Sequence, residues 1–143
     1  RLLQEPFFHQ PPPRSTGREL FHLAWLSDHL TGDEAPRDVQ ATLAELTAVS
    51  VAQGVAQLPL SQPSATLLIG GGGAHNAYLM ERLAAHLPKV TLLSPATLGW
   101  PEDWIEAGAF AWLAHQRLHG LPGNLPSVTG ASGPRVLGGI YAP

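Results

Sequence analysis

Cysteine is absent from this chain, which excludes disulfides and thiolate-held metals and fits a reducing compartment. Charge is scarce as well: 13% of residues are Asp, Glu, Lys or Arg, about half of what an ordinary domain carries. A surface so thinly charged implies that part of it is covered by another domain or subunit. The balance that remains, −3, gives no electrostatic case for nucleic acid or an anionic membrane as partner. Long apolar runs are also missing. None reaches the roughly eighteen residues of a membrane span, and no signal peptide is evident. The expectation is a cytoplasmic protein.

What is present is 143 residues, 44% of them apolar, enough for one domain with its own core. The chain opens on Arg1 and runs straight into "RLLQEPFFHQPPP", so it reads as part of something longer. The first fifteen residues look irregular, with Pro11, Pro12 and Pro13 as a short polyproline II stretch. Thr16 with Glu19 three positions on forms a capping box for a first helix. Leu20, Leu23, Leu26 and Leu30 line one side of it, widened by Phe21 and Trp25. Pro36 suits the first position of a second helix, which the spacing extends to about Gln57 with Val39, Leu43, Leu46 and Val49 or Ser50 inward.

After a loop at 58–64 comes a short apolar strand, 66–69, and then four consecutive glycines. Asn76 is placed to cap a third helix whose inner face is Leu79, Met80, Leu83 and Leu87. Residues 89–93 read as a second strand. A further helix over 104–119, "WIEAGAFAWLA" at its centre, is apolar nearly all round and is predicted to be buried. From Gly120 the chain is rich in Gly and Pro, with "RVLGGIY" a candidate last strand. The element order predicts α/β architecture, parallel strands joined by crossover helices, with the rest of the sheet upstream.

Each glycine in a regular element costs roughly 0.5–1 kcal/mol relative to alanine, so four in a row need a cause. A strand, a glycine loop and a helix N-terminus together form a place where backbone N–H groups meet an anion or nucleotide. The dinucleotide fingerprint fails: counted from Gly71 its sixth position is Asn76, counted from Gly70 it is His75, and the second strand ends at Leu93-Ser94 without a carboxylate. A Walker A loop fails for want of its lysine. A tight strand-to-helix turn would account for one or two glycines only.

"GGGAHN" followed by "NAYLMERL" resembles the adenosine loop of the acetate and sugar kinase/Hsp70/actin superfamily. Four stretches narrow this: "PPPRSTGRELFHLAWL" (11–26), "GGGAHNAYLMERL" (71–83), "GWPEDWIEAGAFAWLA" (99–114) and "GLPGNLPSVTGASGPRVLGGIY" (120–141). In that order they resemble the C-terminal part of the anhydro-N-acetylmuramic acid kinases over nearly the whole chain. Arg14, His22 and Ala77 are small departures, where the family more often has lysine, asparagine and proline.

The resemblance implies an RNase H-like (actin-like ATPase) lobe, a partial, mostly parallel sheet flanked by helices. Residues 1–143 would form the C-terminal lobe of a two-lobe sugar kinase, with the 120–143 tail returning toward the N-terminal lobe. It implies ATP and Mg2+, a sugar substrate and a homodimer. The reaction it implies converts 1,6-anhydro-N-acetylmuramic acid with ATP and water to N-acetylmuramic acid 6-phosphate, a step of peptidoglycan recycling. Gly71, Gly72, Gly73 and Asn76 would meet the nucleotide, and Glu106 the sugar. The phosphate loop and the water-activating aspartate would lie upstream. "PGN" at 122–124 follows Leu121 and has no acidic residue beside it, so no catalytic residue is assigned within this chain and the part alone is expected to be inactive. A non-catalytic nucleotide-binding module is the alternative.

Other residues have plainer readings. Glu106 could be a first-turn acid, although Glu102 and Asp103 already serve the helix dipole. His115 and His119, four apart, lack a third ligand, so no metal site is assigned. His75 either touches nucleotide or packs the loop. Arg14 and Arg18 either meet phosphate or the sugar's carboxylate, or hold the start of the first helix. Trp25, Trp104 and Trp112 read as core or interface aromatics.

Overall fold

Two short β-branched and leucine-rich segments, Ala65–Leu68 (β1) and Val90–Leu93 (β2), pair in parallel with Ala65 opposite Val90 and Leu68 opposite Leu93. Both lie within a residue of where the pattern puts them. In the computed structural model, which describes residues 1–58 and 65–141, the chain divides into two units. One is Leu30–Ile105; the other joins Leu3–His29 to the chain from Glu106 onward. The predicted loop at 58–64 falls almost wholly outside the described residues.

The unit spanning Leu30–Ile105 is a βαβ arrangement backed by a long helix. Pro36–Ala56 (α2) starts with proline at its first position, where a missing N–H costs nothing. Ala77–His86 (α3) crosses from β1 to β2, with Asn76 as its cap: the side-chain Oδ1 accepts from Leu79 N–H at 3.1 Å. Leu83 and Leu87 are buried with Ala48, and Leu79, Met80, Leu67, Ile69, Val90 and Leu92 pack around them. The inner face of α3 is therefore the predicted one. That of α2 is not. The residues it packs on this cluster are Ala48, Val51, Ala52 and Val55, while the predicted Val39, Leu43 and Leu46 are half-buried but not part of it. An alanine at the contact lets the two helices approach closely, and a helix with apolar residues on several sides does not announce which side wins.

The strands alternate in burial, so one sheet face carries the core while Leu68 and Leu93 are exposed on the other. Parallel sheets are ordinarily covered on both faces.

A polar clamp also joins α2 to α3. Glu45 accepts from Arg82 Nε at 2.6 Å and Nη2 at 3.3 Å, and His86 Nε2 lies 2.6 Å from its other oxygen. The Arg82 bonds first, then His86, hold the Glu45 carboxyl down to about 2, against an ordinary 4.5. Glu34 is held to about 2 as well, chiefly by backbone N–H donation from Thr31. Folded carboxyls that stay charged to such low pH stabilise the fold fully above the unfolded value and lose that contribution as pH falls through the folded one. Melting temperature should therefore be insensitive to these groups above about pH 5 and decline from there toward pH 2. Glu45→Gln should melt lower at pH 7 and lose less on acidification. An identical acid dependence in the variant would show that the clamp does not bind α2 to α3.

The second unit is built on aromatics. Phe7, in the short 3-10 helix Pro6–His9, meets Phe21 edge-on at 5.7 Å, Phe8 lies tilted to it at 5.4 Å, and Phe21 meets Trp25 edge-on at 5.1 Å. The first helix is shorter than predicted: α1 is Leu23–Ser27, capped by His22, whose Nδ1 accepts from Trp25 N–H, and Thr16 caps nothing. Residues 17–22 turn instead, Gly17 O accepting from both Leu20 and Phe21 N–H, because the turn delivers Phe21 to the aromatic cluster. The Pro12–Pro13 peptide bond is cis and the backbone bends there, in place of the predicted polyproline II stretch.

Ile105–Leu118 (α4) has almost the predicted bounds, yet none of its residues is buried. Phe110 is 65% and Leu118 72% exposed, and Trp104 just before it 66%. A helix apolar nearly all round needs cover on several sides, and the described residues supply too little. Downstream, Pro126–Thr129 (α5) is a single turn and "RVLGGIY" forms no strand: Gly138 has φ +84°, which strand pairing does not accommodate. The tail is closed by side chains instead. Asn124 Nδ2 donates to Gly133 O, Arg135 N–H donates to Asn124 Oδ1 at 2.6 Å, and Gly123 N–H donates to Arg135 O. No helix among the described residues is long and apolar enough to cross a membrane.

Candidate functional site

The four glycines follow β1 at the carboxyl end of the parallel pair, the end at which open α/β sheets bind ligands. They are not equivalent. A β-carbon on Gly70 would lie 3.1 Å from Ile105 Cγ1 and 3.4 Å from Pro95 Cγ, so any side chain there would have to push Ile105 aside by a few tenths of an ångström. Gly71 has φ +75°, a conformation that side chains disfavour. Those two answer the demands of a tight turn.

Gly72 and Gly73 meet no such demand among the described residues. Apart from chain neighbours, no described atom lies within 4 Å of a β-carbon built on Gly72, and only Leu79 Cδ2 comes as near as 3.6 Å to one on Gly73. Neither has positive φ. Both sit in the 3-10 turn Gly72–His75, closed by Ala74 N–H to Gly71 O and Asn76 N–H to Gly73 O. Among the described residues their own N–H groups have no acceptor. The loop thus presents a bare strip of backbone with two free donors, ending at the cap of α3.

The loop is anchored to the segment before α4. Gly71 N–H donates to Glu102 O at 3.0 Å, and His75 Nε2–H donates to Asp103 Oδ1 at 3.2 Å. Both partners of that pair are largely exposed, so it contributes at most about 1 kcal/mol to stability. Glu102 and Asp103 lie in the 3-10 turn Glu102–Trp104, which leads directly into α4. Sequence reasoning missed this partnership, since 28 positions separate His75 from Asp103 and no spacing rule links them.

Gly71, Gly72, Gly73 and Asn76 are thus together on one loop. Glu106 belongs to the other unit; it is exposed on α4 and makes no hydrogen bond or ion pair among the described residues. Arg14 does not hold the start of the first helix as expected: its Nη1 donates to Phe7, Phe8 and Gln10 carbonyls at 2.8–2.9 Å, closing the 3-10 helix Pro6–His9. Arg18 is exposed. His115 and His119 stack at 4.0 Å, and His119 Nδ1 donates to the His115 carbonyl at 2.8 Å. Trp25 is half-buried, its Nε1–H donating to Glu5, and Trp104 and Trp112 are exposed, so none of the three is in the buried core.

Parallel strands, a crossover helix and a glycine loop at the end of β1 define an α/β protein. The chain belongs to the anhydro-N-acetylmuramic acid kinase family, whose model matches residues 1–143. It is 60% identical over 144 residues to the anhydro-N-acetylmuramic acid kinase of Chromohalobacter salexigens, an alignment covering 99% of this chain and 39% of that protein. The enzyme of that name from Xylella fastidiosa is 57% identical, with 98% and 36% covered, and that from Photobacterium profundum 53%, with 99% and 39%. The chain spans 36–39% of the length of these relatives.

Proposed function

We propose that this chain is the C-terminal, nucleotide-side lobe of a kinase with an RNase H-like fold. That kinase uses ATP and water to convert 1,6-anhydro-N-acetylmuramic acid to N-acetylmuramic acid 6-phosphate, in the cytoplasm and in service of peptidoglycan recycling. One observation carries the loop's part in this. Packing explains Gly70 and positive φ explains Gly71, whereas Gly72 and Gly73 offer open space and N–H groups without an acceptor among the described residues. Adenosine lying along that strip would account for both. The uncovered sheet face and the exposed α4 also suit a lobe that works against further structure.

In this reading the division of labour is simple. Gly71, Gly72, Gly73 and the Asn76-capped start of α3 receive the nucleotide, while Mg2+ travels on the ATP phosphates and offsets their charge during transfer. The Glu106 carboxylate accepts a hydrogen bond from a sugar hydroxyl. The group that takes a proton from the attacking water is outside this chain.

The test is a coupled assay for ADP on the complete polypeptide. ADP release should require both ATP and 1,6-anhydro-N-acetylmuramic acid, and residues 1–143 alone should release none above a no-protein control. Nucleotide binding by the complete polypeptide without sugar-dependent ADP release would favour a non-catalytic module instead. Turnover by residues 1–143 alone would overturn the assignment of catalysis to the rest of the enzyme.

A further inference from the structure

The glycine loop and the residues before α4 are joined three times. Gly71 N–H donates to Glu102 O, His75 Nε2–H donates to Asp103 Oδ1, and Gly70 lies so close to Ile105 that a β-carbon would be 3.1 Å from its Cγ1. Two of these serve the fold directly. The backbone bond satisfies the amide of a residue at positive φ, and the close approach packs β1 against the start of α4. The His75–Asp103 pair does neither. The 3-10 turn carrying His75 is already closed by backbone bonds, and a pair so exposed adds little to stability. What it fixes is the orientation of the loop on the turn Glu102–Trp104.

We propose that His75 and Asp103 are positioning residues, a latch through which nucleotide on the glycine loop and sugar at Glu106 each strengthen the other's binding. The inference rests on the reading of the loop as the nucleotide site and of Glu106 as a sugar contact. Glu106 is the second residue of α4, and the helix runs on from Ile105 without a break. A ligand that holds the loop therefore holds, through the latch, the turn from which α4 springs. Thermodynamics then requires the converse: a ligand that holds Glu106 improves the nucleotide's affinity by the same factor.

Titration calorimetry on the complete enzyme tests this with a non-hydrolysable ATP analogue, measured with and without saturating anhydro sugar. The reverse titration should return the same ratio. A ratio of about 5 or more is expected for the wild type. His75→Ala and Asp103→Ala should each bring it to within roughly twofold of one, and the double variant should lose no more than either single one. Exchanging the pair, His75→Asp with Asp103→His, should restore it. A merely structural pair would instead lower the melting temperature or weaken each ligand alone, with the ratio intact. An unchanged ratio in the single variants, or a wild-type ratio of one, overturns the proposal. If the wild type binds no nucleotide, the first titration alone reveals it, and the reading of the loop falls with everything built on it.

Discussion

Gly72→Val in the complete enzyme is expected to raise the KM for ATP by about 5- to 150-fold while leaving the melting temperature and the KM for sugar near their wild-type values. The size follows from overpacking. Forcing extra methyl groups into an occupied space costs roughly 1–3 kcal/mol, and each 1.4 kcal/mol is tenfold in affinity. The selectivity follows from where the space is occupied. Among the described residues, nothing beyond its chain neighbours lies within 4 Å of a β-carbon at Gly72, and its φ is not positive, so the folded protein tolerates a side chain there. Only a ligand would object. Gly71→Ala provides the contrast, because its φ of +75° makes any side chain cost about 1–2 kcal/mol of stability whatever binds. Steady-state kinetics with ATP varied, beside melting curves for both variants, separates the two causes. If Gly72→Val loses stability and keeps its ATP KM, the glycines make a turn and nothing more.

How much of this was legible beforehand depended on whether a signal was local. Asn76 and the Leu79, Met80, Leu83, Leu87 face were readable because a cap and its helix lie within a dozen residues, and the structure uses both as written. The glycine run was readable as a demand for bare backbone, but its division was not: the packing of Gly70 needed Ile105 and Pro95, which arrive from 25 and more residues away, and Gly71 is set apart by its φ of +75°. The capping box at Thr16 was an equally local signal and lost. Burying Phe21 between Phe7 and Phe8 outweighs one cap, as tertiary packing commonly outweighs propensity. α4 misled in the opposite direction: apolar composition predicted burial, yet composition does not say what packs on a helix, and among the described residues nothing buries it. The His75–Asp103 pair left no trace in the sequence at all.

Glu106→Gln should lower kcat/KM for the anhydro sugar by roughly ten- to a hundredfold or slightly more, with ATP affinity and melting temperature almost unmoved. The amide keeps the shape of the side chain and can still accept one bond, but it loses the charge, and a charge-assisted hydrogen bond is worth about 1.5–3 kcal/mol. The competing account makes Glu106 a first-turn acid that only complements the helix dipole, worth under about 1 kcal/mol of stability. The local structure weakens that account. The 3-10 turn Glu102–Trp104 runs straight into α4, so Glu102 and Asp103 stand at the positive end of the helical run and Glu106 comes a turn later, where the dipole's effect has fallen off. Glu106 also has no hydrogen bond or ion pair among the described residues, in contrast to Asp103, which is engaged with His75. An acid without a partner among the described residues, in the apolar first half of α4, is available to a ligand. Kinetics with sugar varied at saturating ATP, together with a melting curve, decides between them: a stability loss with intact sugar kinetics removes Glu106 from the site, and a kinetic loss with intact stability places it there.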